Sequence, residues 1–503
     1  MQRKKKAALT AGATVLNLIA TSCTVFVVTP FLVRILGLSL YGAWMMAFQM
    51  IGYLNLLNLQ STSALKLRLG IQQHLDNRDE KRRLVGAAML VGLIIFPVFV
   101  LFSFVLAHFA PSIAKLESGL IREYQIAVFL LGLNLSLSLL FNIPIIILRA
   151  CNLDYKGLWV RSLLVFVFAG LDIVVLLKGF GIIGIAFNHL ILSLAQGVWL
   201  LLVVRRNISW FGLKRPEKED FKSIFTISVW SNLGGLANTL GRNSDILFIG
   251  VLFGTETAGV ASITSAFIRF FSNTFYSLQN SLAAGIQDLI GRKNFARLGE
   301  IRYMLHSVLA MVFLLVSGII LYSNGFLIKI WTGKASYGGP LITFLFILLY
   351  FSTLMNNIEG GTLAAFLKVK LWATTNLVFA AAGVITSCVI GYFTNITFFL
   401  IILLLSRYFL LWFYNRWVSA EMDISNYSHI MGKIWIFVFS FLALLTLIRI
   451  FIMEKYVYID FIIGAGISLI CGFLLWFLVP EKAKSEFHLL WNAFKARVGI
   501  NPA

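Results

Sequence analysis

The chain is short of the residues that metal sites and disulfide frameworks need. Its 503 residues include 4 cysteines, and Cys23, Cys151, Cys388 and Cys471 lie far apart with no CxxC or CxxH spacing. Neither a zinc site nor a disulfide framework is therefore indicated. The sequence also contains no GxxxxGKS/T loop and no DxD motif, so nothing in it points to ATP hydrolysis or glycosyl transfer. We predict no metal and no cofactor.

Charged side chains are also scarce, and hydrophobic ones take their place. They make up 13% of the chain against 59% hydrophobic residues, more apolar surface than one soluble core buries. About 14 apolar runs are long enough to span a bilayer. The first, at residues 8–35, follows MQRKKK and is too long for a signal peptide, so we interpret it as a retained span. The sequence predicts an all-α polytopic membrane protein.

Acidic residues are outnumbered, with 21 Asp and Glu against 42 Lys and Arg. Such a surplus is typical of proteins that bind nucleic acid, membrane surfaces or anionic substrates. Threading the spans from a cytoplasmic N-terminus places 31 of the 42 basic residues on cytoplasmic segments, four of them between Arg292 and Arg302. Cytoplasmic loops are expected to be rich in Lys and Arg. The surplus is therefore mostly topological; it predicts cytoplasmic termini and gives nucleic-acid binding little support.

The spans and polar segments predict two halves of six helices each. The long polar stretch after the sixth span is the natural linker between them. The predicted organisation is an N-terminal six-helix bundle (1–206), a cytoplasmic linker (207–222), a C-terminal six-helix bundle (223–417), two additional transmembrane helices (418–480) and a cytoplasmic amphipathic tail (481–503).

The halves show a weak internal repeat at their first helix junction. Shifting the sequence by 217 positions superposes Gly37 on Gly254 and Gly42 on Gly259. In each copy the two glycines bound a tight turn between long spans. Six spans separate the copies, so both enter the membrane from the same side. The pattern predicts a parallel repeat whose twofold axis runs along the membrane normal.

These junctions resemble a known family. The stretches TPFLVRILGLSLYGAWMMAF and SDILFIGVLFGTETAGVAS are similar to the polysaccharide-transporter branch of the multidrug/oligosaccharidyl-lipid/polysaccharide flippase superfamily. Phe253 replaces the leucine usual in that pattern. The matching residues are Pro30, Leu32, Leu36, Gly37, Tyr41, Gly42 and Trp44, then Asp245, Gly250, Gly254 and Gly259.

The resemblance implies an O-antigen or exopolysaccharide-unit flippase of a bacterial inner membrane. Such a protein moves a polyprenyl-pyrophosphate-linked oligosaccharide from the cytoplasmic to the periplasmic leaflet. The implied fold is a V-shaped pair of six-helix bundles around a central cavity, with two extra C-terminal helices. Its partners would be the lipid-linked oligosaccharide, membrane lipids and a polysaccharide polymerase.

A flippase needs polar donors inside the membrane, and the planar fork of arginine suits phosphate. Charges at this depth are costly, which makes each arginine within a span a candidate. The alternative for each is a structural ion pair or, for the residue at a span end, snorkelling. The predicted phosphate and sugar site comprises Arg269, Arg242, Arg34, Asn55, Asn58 and Asn273.

Three carboxylates within the spans are candidates for ion coupling: Asp245, Glu359 and Asp172. Asp245 lies one turn after Arg242, where mutual neutralisation is the alternative. Glu359 stands in the helix-interrupting stretch MNNIEGGT, and its alternative role is to pair with Arg407 or Arg269. Asp172 lies near Lys178, which favours a structural pair.

Two other functions compete with flipping. A multidrug or small-cation antiporter of the same superfamily stays open, since three arginines and three acidic residues fall within the spans. A membrane glycan polymerase would carry a sizeable external loop with catalytic Arg or His, and the predicted topology has no such loop. We therefore predict a transporter rather than an enzyme.

Overall fold

The structure is a computed structural model and is helical throughout the part of the chain that it describes. That part comprises residues 2–54, 65, 68–69, 77–151, 153–222, 225, 239–240, 244–333, 337–366, 368–422, 438, 440–447, 449 and 466. No strand occurs in these ranges, and nine of the described helices are long and apolar enough to cross a membrane. The predicted all-α polytopic membrane fold is confirmed.

The chain divides into two compact units. The first holds Met1–Ser262 and Trp331–Lys334, and the second holds Ile263–Ile330 and Ala335–Ala503. The predicted domain boundaries around the linker stay a prediction. The helices are α1 (Gln2–Leu54), α2 (Arg78–Ile113), α3 (Ile121–Ala150), α4 (Asp154–Leu177), α5 (Gly181–Asn207), α6 (Asp245–Phe253), α7 (Thr255–Thr264), α8 (Ala266–Gly291), α9 (Phe295–Thr332), α10 (Pro340–Ala365), α11 (Val369–Phe393) and α12 (Ile396–Met422).

The first unit packs α3 against α2 and α5, and α4 against α1. Helix α2 begins at a cap in which the Asn77 side chain accepts a hydrogen bond from the Glu80 amide, as a helix N-terminus requires. Aliphatic side chains such as Val85, Ile147 and Val204 form its buried core. Many large apolar side chains on α2, α4 and α5 point outward, as expected where lipid is the solvent.

Both predicted glycine turns are present. Gly37 has φ 78° and ψ 169°, and it divides α1 into two helical segments. Gly254 has nearly the same angles, φ 92° and ψ 162°, between α6 and α7. Only glycine adopts this backbone conformation without strain. The turns predicted from the repeat are confirmed at both positions.

The second glycine of each copy packs against the other copy. A Cβ atom built on Gly42 would lie 1.8 Å from the carbonyl oxygen of Thr255, and one on Gly259 would lie 2.5 Å from that of Leu38. The two approaches correspond to each other under the 217-residue shift, because Leu38 and Thr255 occupy equivalent positions, each directly after a turn glycine. The two junctions therefore meet through bare backbone within the first unit.

The second unit is organised around α10. This helix packs on α8 and α12, and α11 also packs on α12. Leu298, Leu363, Tyr414 and Val418 contribute to its core. Helix α8 shows the sharpest separation of polar from apolar side chains among the helices described. A helix of this kind has one face suited to polar surroundings.

Candidate functional site

Arg269, the leading phosphate candidate, is half-buried one turn into α8. Its Nε donates to the Tyr350 hydroxyl at 2.8 Å, and its Nη2 donates to the Ser265 hydroxyl at 2.8 Å. The guanidinium also lies 5.9 Å from the centre of the Tyr350 ring. These contacts fix the plane of the guanidinium, which is the property that makes arginine a bidentate ligand for phosphate. Asn273, one turn further along α8, is exposed.

Glu359 is sealed inside the second unit. Arg302 Nη2 contacts its Oε2, Arg302 Nε donates to its Oε1 at 3.3 Å, and His306 Nε2 lies 2.6 Å from the same Oε1. Both Arg302 and Glu359 have side chains only 1% exposed. Arg302 also donates to Asn415 Oδ1 at 3.3 Å, which links α9, α10 and α12.

This cluster corrects one sequence interpretation. The partners of Glu359 are Arg302 and His306 rather than Arg407 or Arg269. Arg302 is one of the largest fully buried side chains. It stands at the edge of an apolar run of the sequence, and α9, which begins at Phe295, carries it into the core.

Asp245 is buried at the first turn of α6, where a negative charge is favoured by the helix dipole. Its Oδ1 accepts from Gln49 Nε2 at 3.0 Å, and Gln49 Oε1 accepts from the Leu247 main-chain amide at 2.6 Å. Gln49, a polar residue of the predicted second span, therefore holds the start of α6. Arg242, Asn55 and Asn58 lie outside the described residues.

Asp172 on α4 is buried and contacts the neighbouring helix α5. Asn188 Nδ2 donates to its Oδ1 at 2.7 Å, and His189 Nε2 lies 3.5 Å from its Oδ2. The predicted pairing of Asp172 with Lys178 is wrong, because the carboxylate points across the α4–α5 hairpin rather than along α4. His189 is 31% exposed and its ring packs near Trp44 and Phe48.

Arg34 lies on the exposed side of α1, one turn before the Gly37 turn. Its Nε donates to the Thr332 carbonyl at 2.9 Å, and the guanidinium packs over Gly333. Trp331 Nε1 donates to the Phe26 carbonyl at 2.6 Å in the same region. Arg34 therefore has a structural contact at the end of α9 and is also open to solvent or a head group.

Sequence reasoning missed several of these partners. Asp172 and His189 flank the short hairpin that turns at Gly179 and Gly181. Residues at matching distances from such a turn meet across two antiparallel helices. That spacing was a usable signal for the Asp172–His189 pair. Tyr350 and Arg302 gave no such signal, because their partners come from distant sequence.

Among the described residues, no group of three or more His, Cys, Asp or Glu side chains is placed to hold a metal ion. The buried carboxylates are each engaged by neighbouring polar groups of the protein. The described side chains provide hydrogen-bond donors, among them the oriented guanidinium of Arg269.

The fold is that of transporters of the MOP superfamily. It is similar to the lipid II flippase MurJ in an inward closed conformation, with a TM-score of 0.65 at 13% identity over 92% of this chain and 99% of that one. It is also similar to an inward-facing multidrug resistance MATE transporter, with a TM-score of 0.63 at 12% identity over 80% and 94% of the two chains. A Vibrio cholerae MATE transporter in the bent form gives 0.56 at 15% identity over 84% and 98%.

Residues 8–287, more than half of the chain, match the family described as "Polysaccharide biosynthesis protein". The chain belongs to this family. No curated protein matches it in sequence. The resemblance inferred from the two glycine junctions is thereby confirmed at the level of the superfamily.

Proposed function

We propose that this protein flips a polyprenyl-pyrophosphate-linked oligosaccharide, an O-antigen or exopolysaccharide repeat unit, from the cytoplasmic to the periplasmic leaflet. Membership of a polysaccharide biosynthesis family and a fold shared with a lipid II flippase support this assignment. The protein would act by alternating access in a bacterial inner membrane, with both termini in the cytoplasm. A polysaccharide polymerase would receive the flipped unit.

The observation that carries the proposal is the orientation of Arg269 on α8. A pyrophosphate head group crossing the membrane needs cationic donors, which cost several kcal/mol to place there and are kept only where they work. Tyr350 and Ser265 hold the guanidinium in a fixed plane on the most amphipathic of the described helices. Arg242, Arg34, Asn273, Asn55 and Asn58 are the further proposed ligands.

The ion-coupling proposal rests best on Asp172. Its partner His189 is partly exposed, and the contact between the two side chains joins α4 to α5. Coupling by Asp245 or Glu359 also stays a prediction. The buried partners of Glu359 favour its structural alternative.

A cation antiporter is the second candidate, favoured by the likeness to MATE transporters and by the buried carboxylates Asp172, Asp245 and Glu359. The two functions differ in the sign of the charge that must bind. An anionic pyrophosphate requires Arg269, whereas removing a positive charge should not weaken binding of a cationic drug.

Replacement of Arg269 tests the proposal. Arg269→Ala should reduce surface polysaccharide at least tenfold in a host lacking its own transporter, and Arg269→Lys should retain part of it because charge remains without the planar fork. Arg297→Ala is the matched control, since Arg297 is an exposed arginine paired with Glu300 on α9. Normal polysaccharide from Arg269→Ala at wild-type protein levels would rule out its phosphate role.

A further inference from the structure

A pocket in the second unit is lined by α8, α9 and α10, and neither Arg269 nor Glu359 is among its described lining residues. Among the described lining residues, the polar side chains are all amides, and the others are aliphatic apart from Gly361. The lining includes Gln279, Gln287, Leu305, Asn357, Gly361 and Ala365.

The amides form a connected pair with bonding capacity to spare. Asn357 Nδ2 donates to Gln279 Oε1 at 2.8 Å, and Gln279 Nε2 donates to the Leu354 carbonyl at 3.4 Å. This leaves the carbonyl oxygen and the second N–H hydrogen of Asn357 for a ligand, among the contacts described. An amide offers both donor and acceptor, which matches a hydroxyl group that also does both.

The adjacent asparagine shows that this placement is specific. Asn356 is buried and donates to the Arg407 carbonyl on α12, so it binds two helices together. Asn357, one position later, is only partly buried and lines the pocket. One asparagine therefore serves the core, and its neighbour is available to a ligand.

The two glycines that follow divide in the same way. A Cβ atom on Gly360 would lie 2.7 Å from Trp372 Nε1, so this glycine is needed for helix packing. A Cβ atom on Gly361 would meet nothing within 4 Å, and Gly361 is exposed. The missing side chain at Gly361 opens the pocket rather than serving the core.

The pocket lies toward one end of its helices. Gln287 is four residues before the end of α8 at Gly291, and Ala365 is the last residue of α10. Gln279 is about 18 Å from the end of α8 at 1.5 Å per residue. These ends carry Arg292 and Lys368, so the positive-inside rule places them at the cytoplasmic face.

We infer that this pocket binds neutral sugar hydroxyls of the lipid-linked saccharide on the cytoplasmic side, before it is flipped; the inference rests on the proposed function. None of its described lining residues carries a charge, so they do not suit phosphate or a cationic drug. Asn357 and Gln279 supply the hydrogen bonds, and the aliphatic lining contacts the C–H faces of the sugar rings. Arg269 would hold the pyrophosphate separately.

The test measures binding to the purified full-length protein of two probes: a polyprenyl pyrophosphate carrying an oligosaccharide, and the same lipid without sugar. Gly361→Leu fills the pocket from an open position, and Gly170→Leu is the matched control because Gly170 also has an exposed, open Cβ position. We expect Gly361→Leu to weaken binding of the sugar-bearing lipid at least tenfold and to leave the sugar-free lipid and the control unchanged. Asn357→Ala should weaken it about 3- to 10-fold through lost hydrogen bonds.

The outcomes separate the two proposals. If both lipids bind the wild type and Gly361→Leu and Asn357→Ala leave both affinities unchanged, the sugar site is overturned while the proposed function stands. If neither lipid binds, both are overturned. If phosphatidylglycerol vesicles displace the sugar-bearing lipid as well as that lipid displaces itself, the pocket takes ordinary head-group hydroxyls and the sugar assignment is overturned. Should Gly361→Leu not fold, Asn357→Ala alone decides.

Discussion

Neutralising Glu359 should destabilise the second unit strongly. Glu359→Gln keeps the shape of the side chain but removes the charge that Arg302 faces, and both side chains are 1% exposed. A buried ion left without its partner costs about 3–5 kcal/mol. Asn415 softens the loss only in part, because the amide oxygen that accepts from Arg302 is neutral. We therefore expect about 3 kcal/mol or more for the single substitution, by the same reasoning.

A double-mutant cycle on the purified protein measures this pair. Unfolding free energies of the wild type, Glu359→Gln, Arg302→Gln and the double variant should give a coupling energy above about 1 kcal/mol. The control cycle uses Arg297 and Glu300 on α9, an exposed Arg–Glu pair with side chains 39% and 43% exposed. That pair should couple by less than about 0.5 kcal/mol, because water and salt screen it.

The opposite result would assign Glu359 to ion coupling. If Glu359→Gln unfolds at the wild-type free energy but transport in vesicles no longer responds to an ion gradient, the buried pair is not structural. The stability reasoning would then be wrong, and Glu359 would join Asp172 as a coupling candidate. Loss of stability together with retained gradient dependence in the surviving protein would establish the structural role.

Two further predictions concern the first unit. Gly42→Ala places a methyl group 1.8 Å from the Thr255 carbonyl oxygen, so it should lower the free energy of unfolding by about 1–3 kcal/mol or more. Gly170→Ala, the control, should have little effect because its Cβ position is open. Thermal denaturation compares the two variants, and equal midpoints would contradict the close approach. His189→Gln should remove the dependence of transport on a proton gradient. Asp172 keeps its hydrogen bond from Asn188 in this variant. An unchanged gradient response in a normally inserted protein would exclude His189 from coupling.

Local sequence features predicted the positions that backbone geometry controls. Gly37 and Gly254 have the positive φ that a tight turn between spans demands, and no other residue type serves there as well. Apolar length predicted the helices, because each must satisfy its own backbone within lipid. These signals lie within one or two turns of the residue concerned.

The partners of the charged side chains could not be predicted from such local signals. Arg302 and Glu359 are 57 positions apart, and Arg269 and Tyr350 are 81 apart. Whether a buried arginine meets a carboxylate or a tyrosine depends on how helices rotate about their axes, and apolar membrane helices record that rotation weakly. The contact between Asp172 and His189 was not predicted, but it is the one that could have been, since a short hairpin fixes which residues of α4 and α5 meet.

The weak identity between the two copies of the repeat also has a physical explanation. Only the backbone approach between Gly42 and Thr255, and between Gly259 and Leu38, must be shared by both copies, since a side chain at either glycine would separate the helices. The oxygen atoms that these glycines approach belong to the main chain, so Leu38 and Thr255 are free to differ in side chain. Other positions face lipid, core or a ligand, whose demands differ between the two copies. A few glycines therefore maintain the close approach of the two junctions while the remaining residues diverge, and those diverging residues include Gln49 and the ligands proposed for the substrate.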